Sequence, residues 1–343
     1  MSGTISRRHF MATAAAASTI AAPAIAVAQA KVRWRAQSMW SASETTYKAF
    51  EDFCKRVGTA TGGRLEIQPF SAGAVVGVFE TLDAVSAGVL DAQSTAPVYW
   101  AGKDAGFSVI GDLNFAYQHP WQAEAWYYHR GGLEMLREAY SKFNVYPVGV
   151  SWWGQEALVS KKPLKTTDDF KGLKVRTPQG MFAEIISKLG ASIIVVPGGE
   201  VYSALDKGVV DAADWGTESM NFRMGFFEVA KTSVRIGHSM PAQEFAVNKP
   251  KWDALPADVK AILSSCVREW TWDQVQRIAV EDTEATSNIR TKGGTAGTLA
   301  APEIDKMRGL AQKTWEDWSK KTPLAKKAYD SQIAWLKSLG VLA

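Results

Sequence analysis

The stretch from Lys171 to Trp215, KGLKVRTPQGMFAEIISKLGASIIVVPGGEVYSALDKGVVDAADW, narrows the folds open to this chain. Leu173 to Arg176 reads as a short strand, stopped by the breakers Pro178 and Gly180. Phe182 to Leu189 follows as a helix with Phe182, Ile185, Ile186 and Leu189 on one face and Gly190 just past its end. Ser192 to Val196 is an apolar run with a β-branched core, bounded by Pro197-Gly198-Gly199, which suits a buried strand. Glu200 to Lys207 is a second helix closed by Gly208, after which Val209-Val210-Asp211-Ala212 enters the next strand. This alternation predicts a parallel α/β sheet. Arg176 and Asp214-Trp215 then share its carboxyl-terminal edge, where open sheets bind ligands. By pattern alone, Arg176 reads as a solvated loop arginine and Asp214-Trp215 as a loop end.

A second stretch uses the same grammar. Glu80 to Ala87, Gly88 and Val89-Leu90-Asp91-Ala92 repeat the order helix, glycine stop, buried strand ending in Asp-Ala, about 120 residues earlier. Two such units predict two lobes of similar construction facing one cleft.

The first thirty residues read as a targeting segment. Ser6-Arg7-Arg8-His9-Phe10-Met11 carries a twin arginine, an Ala-rich apolar run broken by Pro23 follows, and Ala28-Gln29-Ala30 is a small-x-small cleavage site. Export by the twin-arginine route to the periplasm is the expectation. Beyond Ala30, 37 basic residues face 35 acidic ones without a basic block, which argues against nucleic acid as a partner. Cys54 and Cys266, the only cysteines, fall in separate helical patterns and are expected to be buried free thiols. His119, His129 and His238 lack zinc-ligand spacing, and no G-x-S-x-G or phosphate-cradling loop is present. The pattern favours binding over catalysis.

Val32 to Ser38 and Leu65 to Pro69 read as strands flanking a helix that ends at Val57. Pro120 to Lys142 reads as one long helix kinked at Gly131-Gly132, and Val145 to Val150 as a strand crossing between lobes. Pro256 to Arg290 is a helical run that reaches roughly 50 Å at 1.5 Å per residue. Two further helices, Pro302 to Lys320 and Leu324 to Leu339, carry Trp315, Trp318, Tyr329, Ile333 and Trp335. That apolar load either packs back on the long helix or covers a second subunit in a homodimer.

The K-G-L-K-V-R run at 171–176, G-G-E-V-Y-S-A-L at 198–205 and K-G-V-V-D-A at 207–212 resemble the signature region of solute-binding proteins of TRAP (tripartite ATP-independent periplasmic) transporters. The likeness runs from about Trp34 to the C-terminus. Many members read D-G-x-E-N-P after the helix, whereas this chain has Asp211-Ala212-Ala213-Asp214-Trp215. That ending is similar to the branch binding 2-oxo acids and lactate, in which an acidic-Trp pair contributes to a metal site.

The resemblance implies an α/β, two-lobed periplasmic binding protein with a long spine helix across both lobes and C-terminal helices. Lobe one spans 31–154 with a return segment at 245–255, lobe two spans 155–244, and the spine covers 256–292, with residues 293–343 as the C-terminal region. It also implies a small-acid ligand, held by Arg176 with Gln155, Tyr99, Trp153 and Trp215, and delivery to membrane permease subunits. Gln155, Asp214, Trp215 and Glu244 would supply oxygen ligands to Na⁺ or Ca²⁺. Alternatives are a C4-dicarboxylate or sugar-acid receptor, and an exported metal-dependent enzyme using Asp214 and Glu244 as acid and base.

Overall fold

The computed structural model describes residues 31–342. The twin-arginine segment expected over residues 1–30 lies outside them. Eleven strands are present among the described residues: β1 (Val32–Ser38), β2 (Leu65–Phe70), β3 (Ala92–Thr95), β4 (Val145–Ser151), β5 (Ala157–Ser160), β6 (Lys174–Arg176), β7 (Ser192–Ile194), β8 (Ala212–Gly216), β9 (Thr232–Val234), β10 (Gln243–Asn248) and β11 (Thr295–Gly297). They form two mixed sheets, ordered β2-β1-β3-β10-β4 and β11-β9-β5-β8-β6-β7. Every residue of β8 and β10 is buried, as expected for strands near the middle of sheets covered on both faces.

The chain leaves the first sheet after β4 and returns to it at β10, so two crossings, residues 152–156 and 235–242, join the lobes. A third link is the helix Ala257–Thr291, whose successor β11 lies in the second sheet. Its first half packs on helix Thr45–Ala60, with Trp270 stacked 5.1 Å from Phe53. Its second half meets the other lobe, where Asp282 Oδ1 accepts from Thr217 Oγ1 at 2.8 Å and from the Ser219 N–H at 2.9 Å. The spine therefore runs along both lobes.

The two repeated units appear in both sheets, with one shift. The Asp-Ala pairs open the strands β3 and β8 instead of ending strands begun at Val89 and Val209. Each aspartate acts as a clasp. Asp91 accepts from the Arg35 N–H of β1 and donates its own N–H to Arg35 O, and Asp211 makes the same pair of bonds with Lys174 of β6. Gly88 and Gly208 stand at φ +76° and +71°, which glycine adopts without a Cβ clash, and turn the chain into these clasps.

The helix expected over 120–142 is two, Pro120–His129 and Gly132–Ser141. Gly131 sits at φ +86°, and a Cβ on Gly132 would lie 2.6 Å from the Trp126 ring, so the pair breaks the helix outright. The C-terminal helices Ala301–Ser319 and Pro323–Ser338 pack back on their own chain, chiefly against helices Ala105–Gly111 and Met181–Lys188. Trp315 and Trp335 donate their indole N–H to Asn114 O and Gln122 O of the first lobe, and Trp318 donates to Glu184 of the second at 2.6 Å. Cys54 and Cys266 are free and buried.

Candidate functional site

The crossings run side by side, tied by the Glu156 N–H to Ser239 O at 2.9 Å. Around them lies a cavity with about 640 Å³ of empty space, open solvent at its mouth included, walled by residues of both lobes and of the crossings. The first lobe contributes Met39, Trp40, Tyr99, Ser108, Asp112 and Asn114; the second contributes Arg176, Phe182, Asp214 and Trp215. Trp153, Glu156 and Ser239 come from the crossings.

Arg176 is the last residue of β6, paired with Ala213 of the parallel neighbour β8. Its side chain is turned inward, with the residue 2% exposed, and is pinned at two points. Nε donates to Val196 O at 3.1 Å and Nη1 to Asp214 O at 2.6 Å. Two carbonyls thus fix the plane of the guanidinium, leaving further N–H groups of its fork for the cavity, where Tyr99 is close enough to feel its charge. Burial pushes the Tyr99 phenol up to about 12, with Arg176 pulling the other way, so Tyr99 is a neutral donor near pH 7.

The acidic part is denser than one arginine can balance. Ligand atoms of Glu156, Asp214 and His238 lie within 4.8 Å of one another, all three residues buried. Asp214 Oδ1 is 2.9 Å from His238 Nε2, and Oδ2 accepts from Thr177 Oγ1 at 3.0 Å. Burial acts to raise the Asp214 carboxyl, but His238 and its hydrogen bonds outweigh it and hold the group below the usual range. Burial and the Asp214 charge push Glu156 the other way, well up, so it holds a proton toward Asp214. Two bare carboxylates within 4.8 Å of each other repel by about 3 kcal/mol or more at an effective dielectric of 20, a cost that a proton or a cation between them relieves. Asp112 adds a third acid, lifted to about 7 by burial against the bonds it accepts from Ser239 Oγ and the Met240 N–H.

Aromatic rings close the remaining walls. Trp40 meets Trp153 edge-on at 4.9 Å and Trp215 at 5.7 Å, and the Trp153 indole donates to Glu156 Oε1 at 3.2 Å. Phe182 lies 4.4 Å from the His238 ring.

Of the residues singled out in the sequence, Arg176, Tyr99, Trp153, Asp214 and Trp215 line the cavity. Gln155 and Glu244 do not. Gln155 directs its amide to Tyr117 O at 3.4 Å, while the neighbouring Glu156, whose N–H bonds Ser239 O, lines the cavity. Glu244 is fully buried inside the first lobe, where its carboxyl accepts from Thr95 and Gln93 of β3. On β10 it is the preceding residue, Gln243, that reaches toward the cavity wall. Sequence reasoning missed Glu156, Asp112, His238 and Trp40. Glu156 adjoins Gln155 in the sequence, whereas His238 has no spacing motif because its partner Asp214 lies on β8, distant in the chain.

Two α/β lobes joined by paired crossings, with a charged, aromatic-walled cavity at the join, define a solute-binding protein. The model of the DctP family, the bacterial extracellular solute-binding proteins of family 7, matches residues 36–321, and the chain belongs to this family of TRAP solute receptors. Its members are binding components of transporters, not enzymes. The chain is 31% identical over 316 residues to a monocarboxylate 2-oxoacid-binding periplasmic protein of a Nostoc species, covering 90% of this chain and 85% of that one. A TRAP solute-binding protein from Bordetella bronchiseptica, solved with copurified calcium and picolinate, aligns at a TM-score of 0.86 and 28% identity, over 91% of this chain and 93% of that one. Another, from Pseudoalteromonas atlantica with bound sodium and pyruvate, aligns at 0.83 and 26% identity, over 91% and 95%.

Proposed function

We propose that this chain is a periplasmic receptor for a small monocarboxylate, a 2-oxo acid of the pyruvate class or the related 2-hydroxy acid, which it delivers to a TRAP membrane permease. The observation that carries this reading is the pinned Arg176 facing a cluster of acids. Among the described residues that line the cavity Arg176 is the only basic one, so it provides for one carboxylate. A second carboxylate on the ligand would find no basic side chain of its own, which weighs against dicarboxylates.

The acids fit a cation, since Glu156 and Asp214 are hard oxygen donors whose mutual repulsion a cation relieves. Glu156 and Asp214 would hold Na⁺ or Ca²⁺, and the ion would offer the ligand a chelating partner for its carboxylate and 2-oxygen. The chain's own residues do the rest. Arg176 grips the carboxylate in a two-pronged fork, Tyr99 offers a neutral hydroxyl, and the Trp40, Trp153 and Trp215 rings exclude water. Ligand contacts to both lobes favour the closed arrangement, and no bond is made or broken. The twin arginine at Arg7-Arg8 and the Ala28-Gln29-Ala30 site support export through the twin-arginine route. No helix among the described residues is long and apolar enough to cross a membrane. A homodimer built on the C-terminal helices would use their outer faces, since Trp315 and Trp318 are buried within the chain.

Calorimetry tests the reading. Pyruvate should bind saturably, one per chain and without product, in calcium or sodium buffer, and more weakly after chelation in sodium-free buffer. Absence of binding by pyruvate and longer 2-oxo acids with cation present would overturn it.

A further inference from the structure

A chain of buried amides links the cavity wall to the spine helix. The Trp40 indole Nε1, which can only donate, bonds Gln243 Oε1 at 3.2 Å, and Gln243 Nε2 donates to Ser94 Oγ at 2.6 Å. The indole thereby fixes which way the Gln243 amide faces. The same Gln243 oxygen accepts from Gln274 Nε2 of the spine at 3.0 Å. Gln274 Nε2 also lies 2.9 Å from Trp152 O and 3.2 Å from Ser151 Oγ. Two N–H groups thus serve three acceptors, while Gln274 Oε1, in a fully buried residue, has no partner. An unpaired buried acceptor opposes stability, so stability alone does not account for an amide at this position.

The position explains it. Ser151 and Gln243 are register partners at the end of the β4–β10 pair, the last rung before both strands leave for the second lobe. One spine side chain therefore holds both crossings at their point of departure and, through Gln243, the indole that walls the cavity.

We infer that Gln274 is a positioning residue for solute binding: it sets the Trp40 wall and the angle of the two crossings together, and so couples lobe closure to the shape of the cavity. This deepens the receptor reading and rests on it for the ligand used. Gln274 touches no ligand itself, being absent from the cavity lining.

The test is a double-mutant cycle of Gln274→Met and Trp40→Phe, with Gln274→Glu as a second spine variant should the first not fold. Pyruvate affinity is measured by calorimetry. Spin labels on Lys48→Cys and Lys207→Cys, exposed sites on the two lobes, report the interlobe distance with and without pyruvate. Each single variant should weaken pyruvate about tenfold, and the double variant should be no more than about threefold weaker than the worse single, because both act through one contact chain. The spine variant should also broaden the ligand-free distance distribution. A residue of purely structural role would lower the melting temperature and leave affinity and distances unchanged, and that outcome overturns the inference, as does a cycle whose losses multiply. If the parent chain binds no pyruvate, the receptor reading fails by itself. The ligand-free distributions then decide: broadening supports the inference and identity refutes it.

Discussion

Replacing Arg176 by lysine keeps the charge and removes the fork, which isolates what the geometry contributes. In the fold, Nε and Nη1 are committed to Val196 O and Asp214 O, and these bonds hold the guanidinium plane against the cavity. A lysine ammonium has no rigid plane, and what it gives to the two carbonyls it cannot also give to a ligand. Hydrogen bonds to charged groups are each worth about 1.5–3 kcal/mol. Losing one of two such bonds to a ligand carboxylate, together with the anchoring, predicts a loss of about 2–4 kcal/mol, or roughly 30- to 1000-fold in Kd. Arg176→Met removes both bonds and leaves the ligand carboxylate near Asp214 without a counter-charge, so calorimetry should detect no pyruvate binding. Far-ultraviolet circular dichroism should show both variants folded, because β6 pairs with β7 and β8 through backbone bonds. An Arg176→Lys protein that binds pyruvate within threefold of the parent would refute the bidentate role.

Two other perturbations address different groups. Terbium, sensitised by the nearby indoles, should report cation affinity: Glu156→Gln should weaken it at least tenfold and Gln155→Ala by less than twofold, since only Glu156 faces the cavity; the opposite ranking would return the cation role to Gln155. Glu244 gives a pH signature of stability, because burial lifts its carboxyl to about 8 in the fold, against about 4.3 in an unfolded chain. Its folded pKa is raised, so its contribution is complete below about pH 4 and is lost as the pH climbs toward 8. Glu244→Gln does not titrate. Its unfolding free energy relative to the parent should therefore rise by up to about 4 kcal/mol between pH 5 and 8.5 in denaturant titrations, and a flat difference would show that Glu244 is already ionised in the fold.

What was legible in the sequence was carried by local pattern. The strand ending at Arg176, the helix Met181–Lys188 and the spine follow from apolar spacing and glycine or proline stops, all of which act within a few residues. The clasps at Asp91 and Asp211 were legible as a repeat, though not as strand openings, because the bonds defining them are made to β1 and β6, far away in the chain. The choice between Gln155 and Glu156 was hidden for the same reason. Residues 152–156 form no regular strand, so no local period tells which of two adjacent side chains turns inward, and the crossing that meets Glu156 at Ser239 lies far away in the chain. His238 has no motif at all; it becomes a site residue only when the return crossing brings it to Asp214.

The distribution of the site over the fold bears on the order of events in binding. Glu156 and His238 sit on the crossings and Asp214 on β8 of the second lobe, with Arg176 beside it on β6. All four belong to the second lobe or to the segments that join it to the first, so a rotation that parts the lobes leaves them together. Tyr99 and Trp40 belong to the first lobe, as does Asp112, which Ser239 and Met240 tie to the return crossing. On the proposed function, Arg176, Glu156, Asp214 and His238 stay together when the lobes part, and the first lobe brings mainly aromatic walls and a neutral phenol. A carboxylate meeting the open protein finds its counter-charge before the lobes close, and closure then excludes water from contacts already made, which strengthens them as the local dielectric falls. On this division of labour, substitutions at Arg176 or Asp214 should slow capture of pyruvate, whereas substitutions at Tyr99 or Trp40 should chiefly hasten its escape, a split that stopped-flow binding kinetics would read directly.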